Sequence, residues 1–221
     1  MNENQILENT ITFVKKTLQG AEAGHDWFHI ERVYKNALLI AKDEKVDVFI
    51  VSLGALLHDI ADAKFYNGDE TIAPKMARQF LENQQLNESI ILHIENIIKH
   101  ISFKSSLDKL SSAQKFSSPE LAVIQDADRL DAIGAIGIAR CFNYGGFKNR
   151  GLYDPEIPTN LKMTKAEYKN STAPTINHFY EKLLLLKDKM NTKTAKKIAL
   201  ARHEYMQGFL TQFDAEINGV L

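Results

Sequence analysis

The sequence predicts an all-α protein, and three observations carry that prediction. Apolar residues recur at three- and four-residue spacing through most of the chain, capping residues stand ahead of several of these runs, and one Gly- and Pro-rich stretch interrupts them. The first helix is predicted over residues 4 to 19, where Ile6, Leu7, Ile11, Phe13, Val14 and Leu18 keep helical spacing and Gly20 supplies a stop. The next begins at Asp26, with Ile30, Val33, Tyr34, Ala37, Leu38 and Ala41 on one face and Glu31, Lys35 and Lys42 toward water. Asp47 is the expected N-cap of a third helix, VFIVSLGALLHDIA, which is apolar nearly all round and therefore central. A buried strand competes for the first half of that run, but its length and its Leu and Ala content favour a helix.

Residues 70 to 82 and 87 to 100 follow as two more helices, the second capped by Asn87 and lined by Ile90, Ile91, Ile94, Ile97 and Ile98. Ser118-Pro119-Glu120 combines a capping serine, a proline at the first helical position and an early acid, leading into one helix through LAVIQDADRLDAIGAIGIARCF. The stretch from Asn143 to Asn160 is rich in Gly, Pro and Asn and is expected to be a loop that can cover a site. Two long amphipathic helices, about 164 to 188 and 192 to 217, complete the chain. The expected organisation is a single domain over 1–221, with a core at about 20–150 and a C-terminal helical extension at about 160–221.

With 221 residues, 44% hydrophobic, 25% charged and a net charge of −1, the chain can bury a sizeable core and carries no global bias toward nucleic acid or membrane. No stretch approaches the roughly 20 apolar residues needed to span a bilayer. The single cysteine, Cys141, cannot form an intramolecular disulfide, and the polar start MNENQILENT lacks the features of a signal peptide, so a cytoplasmic location is expected. The apolar residues Leu183 to Leu186 and Phe209 are read as core, with a homodimer face as the other option.

The chemistry concentrates around His58-Asp59, which ends the most apolar helical run, with His29 upstream and Asp128 downstream. Two imidazoles and two carboxylates suit a borderline divalent ion, and no cysteine ligand is needed. Neighbours on a helix diverge by roughly 100°, so His58 and Asp59 can share an ion only off the helix end, with other helices completing the set. Each residue alone has a plainer reading, a hydrogen-bonded core histidine or a polar helix end.

The order His, His-Asp, Asp resembles the HD superfamily of metal-dependent phosphohydrolases. The likeness lies in HDWFHIERV at 25 to 33, GALLHDIAD at 54 to 62, KHISFKS at 99 to 105 and DADRLDAIGAIGIAR at 126 to 140. Within that superfamily these segments are similar to the small bacterial hydrolases of the YpgQ and YedJ type. The resemblance implies an HD-domain helical bundle with additional C-terminal helices, and it selects Asp128 from the three acids Asp126, Asp128 and Asp131. Asp126 and Asp131 are left either to orient a ligand imidazole, to pair with Arg32 or Arg129, or to face water.

The implied cofactor is one divalent metal ion, Mn²⁺ foremost, with Fe²⁺, Co²⁺, Zn²⁺, Mg²⁺ or Ni²⁺ as options. Asp62 stands four residues after His58 and is the candidate for orienting or deprotonating the attacking water, against a capping or surface role. Phosphoryl transfer also needs positive charge on the phosphate oxygens. Arg32, three residues after His29, and Lys104 are the stronger candidates, with Lys64, Arg129, Arg140, Lys148 and Arg150 behind them. His25, four residues before His29, can hydrogen-bond into the site or contact phosphate. His93 and His100 share a helix face. A single metal with His100 on the substrate side is favoured over a second metal, because no second His pair is present.

The chain lacks the GYP signature of HD proteins that act on cyclic dinucleotides and the Glu-Asp pair of the alarmone hydrolases. The resemblance therefore implies a nucleotide or related phosphoester substrate and nucleoside triphosphate pyrophosphohydrolase chemistry through a metal-activated water. The alternatives are a nucleoside 5'-monophosphate phosphatase and a non-catalytic, nucleotide-sensing metal protein. Neither nucleic acid nor membrane is an expected partner.

Overall fold

The computed structural model describes residues 1–21, 24–61, 69–101, 116–163, 167 and 171–220. Helices are the only regular secondary structure among the described residues, as the apolar spacing predicts. None of them is long and apolar enough to cross a membrane. The chain divides into two compact units, Met1–Asp128 and Arg129–Leu221.

In the first unit, α1 (Glu3–Thr17) starts where the Asn2 side chain accepts from Gln5 N–H, and it buries Ile6, Thr10 and Val14. Asp26 caps α2 (Trp27–Ala41), whose buried stripe includes His29, Ile30, Val33, Ala37 and Ile40. Asp47 caps α3 (Val48–Leu57) by accepting from Phe49 and Ile50 N–H. From Phe49 to Leu57, every residue but Ile50 is buried, so α3 runs through the centre of the unit with α1, α2 and α5 against it. Its large aliphatic side chains each contribute roughly 1.5–3 kcal/mol by burial, and this anchors the helix end that carries the His-Asp pair.

The helix α4 (Ile72–Asn83) packs on α5 (Glu88–His100), which Asn87 caps as expected. Ser118 Oγ accepts from Leu121 N–H at the start of α6 (Pro119–Asp131). That helix reaches the unit boundary.

The single helix expected after Ser118 is in fact two. The helix α6 stops at Asp131, and α7 (Gly134–Phe147) begins after a break at Ala132-Ile133. Gly134 sits at φ +75°, and a Cβ there would lie 3.0 Å from the Arg202 side chain. The apolar spacing continues through the break, and an isolated glycine reads as tolerable within a helix, so periodicity masks it. The helix α7 also runs five residues, Asn143 to Phe147, into the stretch predicted to be loop. Packing overrides the weak local propensity of Asn143, Gly145 and Gly146: Phe142 lies within 5.8–6.3 Å of the Phe179, Phe209 and Phe213 rings.

The helix expected over 164 to 188 is not continuous from 171 onward, while its residues 164–166 and 168–170 lie outside the described residues. Residues 171–176 are not helical, Pro174 among them; a short α8 (Asn177–Glu181) and a 3₁₀ segment, η1 (Leu183–Lys189), follow. The two are separated at Lys182, where the backbone leaves helical geometry. The final helix, α9 (Lys193–Ile217), matches its prediction, is capped by Thr192, and packs on α7 and η1.

Candidate metal centre

The first turn of α2 sets the first ligand. Asp26 Oδ1 accepts from His29 N–H at 2.9 Å, which fixes the helix start and delivers His29, 2% exposed, to the core. The second and third come from the end of α3. The helix stops at Leu57, with His58 at its C-cap, still in α-helical backbone conformation, and Asp59 just past it, so the pair sits at the helix end where other elements can complete a site.

One potential ligand atom each from His29, His58 and Asp59 lie mutually within 4.8 Å, and among the described residues this is the one such cluster of metal-capable groups. His58 Nδ1 donates to the Ala55 carbonyl at 2.8 Å. That bond assigns the proton to Nδ1 and leaves Nε2 with a lone pair for an ion. Asp128, on α6, places Oδ1 3.6 Å from His29 Nε2. Asp128 thus stands beside His29 but outside the three-residue cluster; two imidazole nitrogens and one carboxylate, with a second carboxylate next to them, are a mixed nitrogen and oxygen donor set that fits a divalent ion of the Mn²⁺ to Zn²⁺ series.

Electrostatics agrees with that donor set. Burial by itself would raise the Asp59 carboxyl, but the hydrogen bond with His25 and the imidazoles of His58, His25 and His29 outweigh it and hold Asp59 below the ordinary aspartate range. Asp59 is therefore an anion, the form that binds a metal. His25 Nδ1 lies 2.5 Å from Asp59 Oδ2.

The other candidates divide. Arg32 lies one turn beyond His29 on α2 and is half-buried. His100 ends α5, with Nδ1 donating to Asn96 O and its ring 5.7 Å from Phe116. His93 shares Phe116 and sits 3.0 Å from Ser118 Oγ and 3.5 Å from Glu120 Oε2. Neither histidine joins the three-residue cluster. Asp62, Lys64 and Lys104 lie outside the described residues.

In the second unit, Arg129 donates to Lys189 O at 2.9 Å. Arg140 donates to the Asp131 carboxylate, which is 1% exposed, and to the Asp131 carbonyl. Arg140 is thus an ion-pair partner of Asp131 that the sequence reading did not name. Lys148 caps the end of α7 with its ammonium over the Tyr144 and Phe147 rings, at 5.7 and 5.1 Å, and Arg150 donates to Ser171 O. Asp126 is fully buried, which removes its surface reading. The Ala55 carbonyl is the contributor that sequence reading missed; its position three residues before His58 on a helix was the available signal.

Known proteins share this arrangement of sequence and fold. The HD domain profile matches residues 27–133. YpgQ of Bacillus subtilis is 37% identical over the whole chain and 98% of its own length. A crystal structure from Bacillus thuringiensis, described as an HD-superfamily hydrolase, superposes with a TM-score of 0.78 at 42% identity, covering 98% of this chain and 99% of that one. The crystal structure of YpgQ in complex with ADP gives a TM-score of 0.71 at 33% identity, covering 98% and 97%.

Proposed function

The chain belongs to the HD domain family, and from that premise we propose that it is a metal-dependent phosphohydrolase that splits nucleoside triphosphates and releases pyrophosphate. The observation that carries this reading is the convergence of His29, His58 and Asp59 within 4.8 Å, with the Asp128 carboxylate beside them. A nucleotide as substrate is supported by full-length similarity to YpgQ, which has been solved with ADP.

These four residues would hold a divalent ion, which would supply Lewis acidity toward phosphoryl oxygen and lower the pKa of a bound water toward neutrality. The chain's own groups do the rest. His29 and His58 present neutral nitrogens, and Asp59 and Asp128 balance the positive charge of the site. Asp62 is assigned to align the water and accept its proton. Arg32, Lys104 and Lys64 are assigned to the phosphate oxygens, and His100 to the substrate side.

The test is turnover of nucleoside mono-, di- and triphosphates by metal-stripped protein resupplied with Mn²⁺, Mg²⁺, Co²⁺ or Zn²⁺, with phosphate and pyrophosphate detected separately. Pyrophosphate from triphosphates is the expected product. Orthophosphate from monophosphates would instead identify a nucleotidase, and stoichiometric nucleotide binding without turnover a sensor.

A further inference from the structure

We infer that His25 is a positioning residue for the Asp59 carboxylate, and that the capped start of α2 therefore organises two metal ligands at once, His29 directly and Asp59 through His25. The inference rests on the metal reading above and extends it to a residue outside the ligand set.

The three clustered ligands differ in how their own elements hold them. His29 sits inside α2 and is almost wholly buried. His58 is tied to its own helix by the bond to Ala55 O. Asp59 has neither restraint: it lies two residues past the last turn of α3, and its side chain is 22% exposed. A short carboxylate in that position can rotate and can turn either oxygen to water. The contact that holds it comes from another element, His25 Nδ1 at 2.5 Å from Oδ2.

An ionised carboxylate only accepts hydrogen bonds, so Nδ1 carries the proton and donates it. With Oδ2 engaged, Oδ1 is the oxygen left for an ion, and the carboxylate plane is fixed before any ion arrives. Ligating carboxylates are commonly held this way by outer partners, whose loss costs about 10–100-fold in metal affinity.

The position of His25 in the chain gives the clamp its second property. His25 is the residue immediately before Asp26, and Asp26 accepts from His29 N–H at 2.9 Å. The cap thus sets the path of the chain from His25 to His29, and the two rings stand 6.2 Å apart, edge to face. One tight turn carries the ligand ring and the clamping ring together. Precise ligand placement at a loop-borne carboxylate is then derived from a helix N-terminus.

The experiment is titration of Mn²⁺ into the metal-stripped full-length protein, followed by calorimetry and by the Mn²⁺ paramagnetic resonance spectrum, for wild type, His25→Ala and His25→Asn. The Asn amide places an N–H near the position of Nδ1, so it retains the donor without the ring. His25→Ala is expected to weaken Mn²⁺ binding about 10- to 100-fold and broaden the bound spectrum, and His25→Asn to recover most of the affinity. Helical circular dichroism of the metal-free proteins should be alike. Mn²⁺ affinity of His25→Ala within twofold of wild type would overturn the inference. Equal losses in both variants would also overturn it, because a hydrogen bond restored by Asn would then be irrelevant. A wild-type protein that binds no divalent ion would remove the metal reading itself, a result visible before any variant is compared.

Discussion

His58 Nδ1 donates to the carbonyl of Ala55 at 2.8 Å, and this single bond determines which nitrogen of the His-Asp pair faces the metal centre. The helix supplies its own outer partner for the ligand. Because the acceptor is backbone, the tautomer follows from α3 folding and needs no other side chain.

Replacement of His58 or His29 by Ala removes an imidazole from the cluster, and the loss of metal-derived stabilisation is several kcal/mol. Turnover per enzyme should fall on the order of 10³-fold or more. Mn²⁺ binding should fall with it while the metal-free helical content stays close to wild type. Retained metal and retained turnover in either variant would contradict the ligand assignment.

Arg140 and Asp131 form a second testable pair. The Asp131 carboxylate is almost fully buried with the Arg140 guanidinium against it, so Arg140→Ala should destabilise the protein by about 3 kcal/mol. The double change Arg140→Leu with Asp131→Leu should recover only part of that loss, since Asp131 also acts on the Arg202 guanidinium. Denaturant unfolding of the three proteins measures both effects. Unchanged stability with a raised KM for nucleotide would return Arg140 to a substrate-contacting role.

The central helix α3 leaves no room at Gly54. A Cβ there would lie 2.5 Å from Ile124 Cδ1 and 3.4 Å from Ile97 Cγ2, both in the core. Gly54→Val should therefore cost about 2 kcal/mol through overpacking and lower the melting midpoint by roughly 4–8 °C. A midpoint at or above that of wild type would show that α5 and α6 are not packed so closely on α3.

Stability should also depend on His178. Burial, aided by the charges of Lys182 and Arg150, pushes its pKa down to about 4 from 6.5. The unfolded chain takes up the proton first as pH falls, so the stabilisation is complete above pH 6.5 and is lost progressively toward pH 4. The upper limit of this loss is about 3 kcal/mol. His178→Gln should flatten the stability profile between these pH values, and an unchanged slope would contradict a neutral imidazole at this half-buried position.

Much of this molecule was legible in its sequence because its caps are explicit. Asn2 aside, Asp26, Asp47, Asn87 and Ser118 each announced a helix start that the structure contains. The His29, His58 and Asp59 cluster was legible because three ligands lay at helix starts and ends in a recognisable order. What the sequence hid was set by tertiary contact. The break before Gly134 carries no change in apolar spacing, and the helical state of Asn143 to Phe147 depends on the Phe142 ring meeting Phe179, Phe209 and Phe213. The same holds for the choice of Arg140 as a partner of Asp131, nine residues away across that break.

The most direct test of the central claim is the rate of pyrophosphate release from nucleoside triphosphates by metal-stripped protein, before and after Mn²⁺ addition, in wild type and in Asp128→Ala. The account predicts release by wild type only after the ion is added, and a loss on the order of 10³-fold in the variant. Equal release without metal, or a variant as active as wild type, would contradict it.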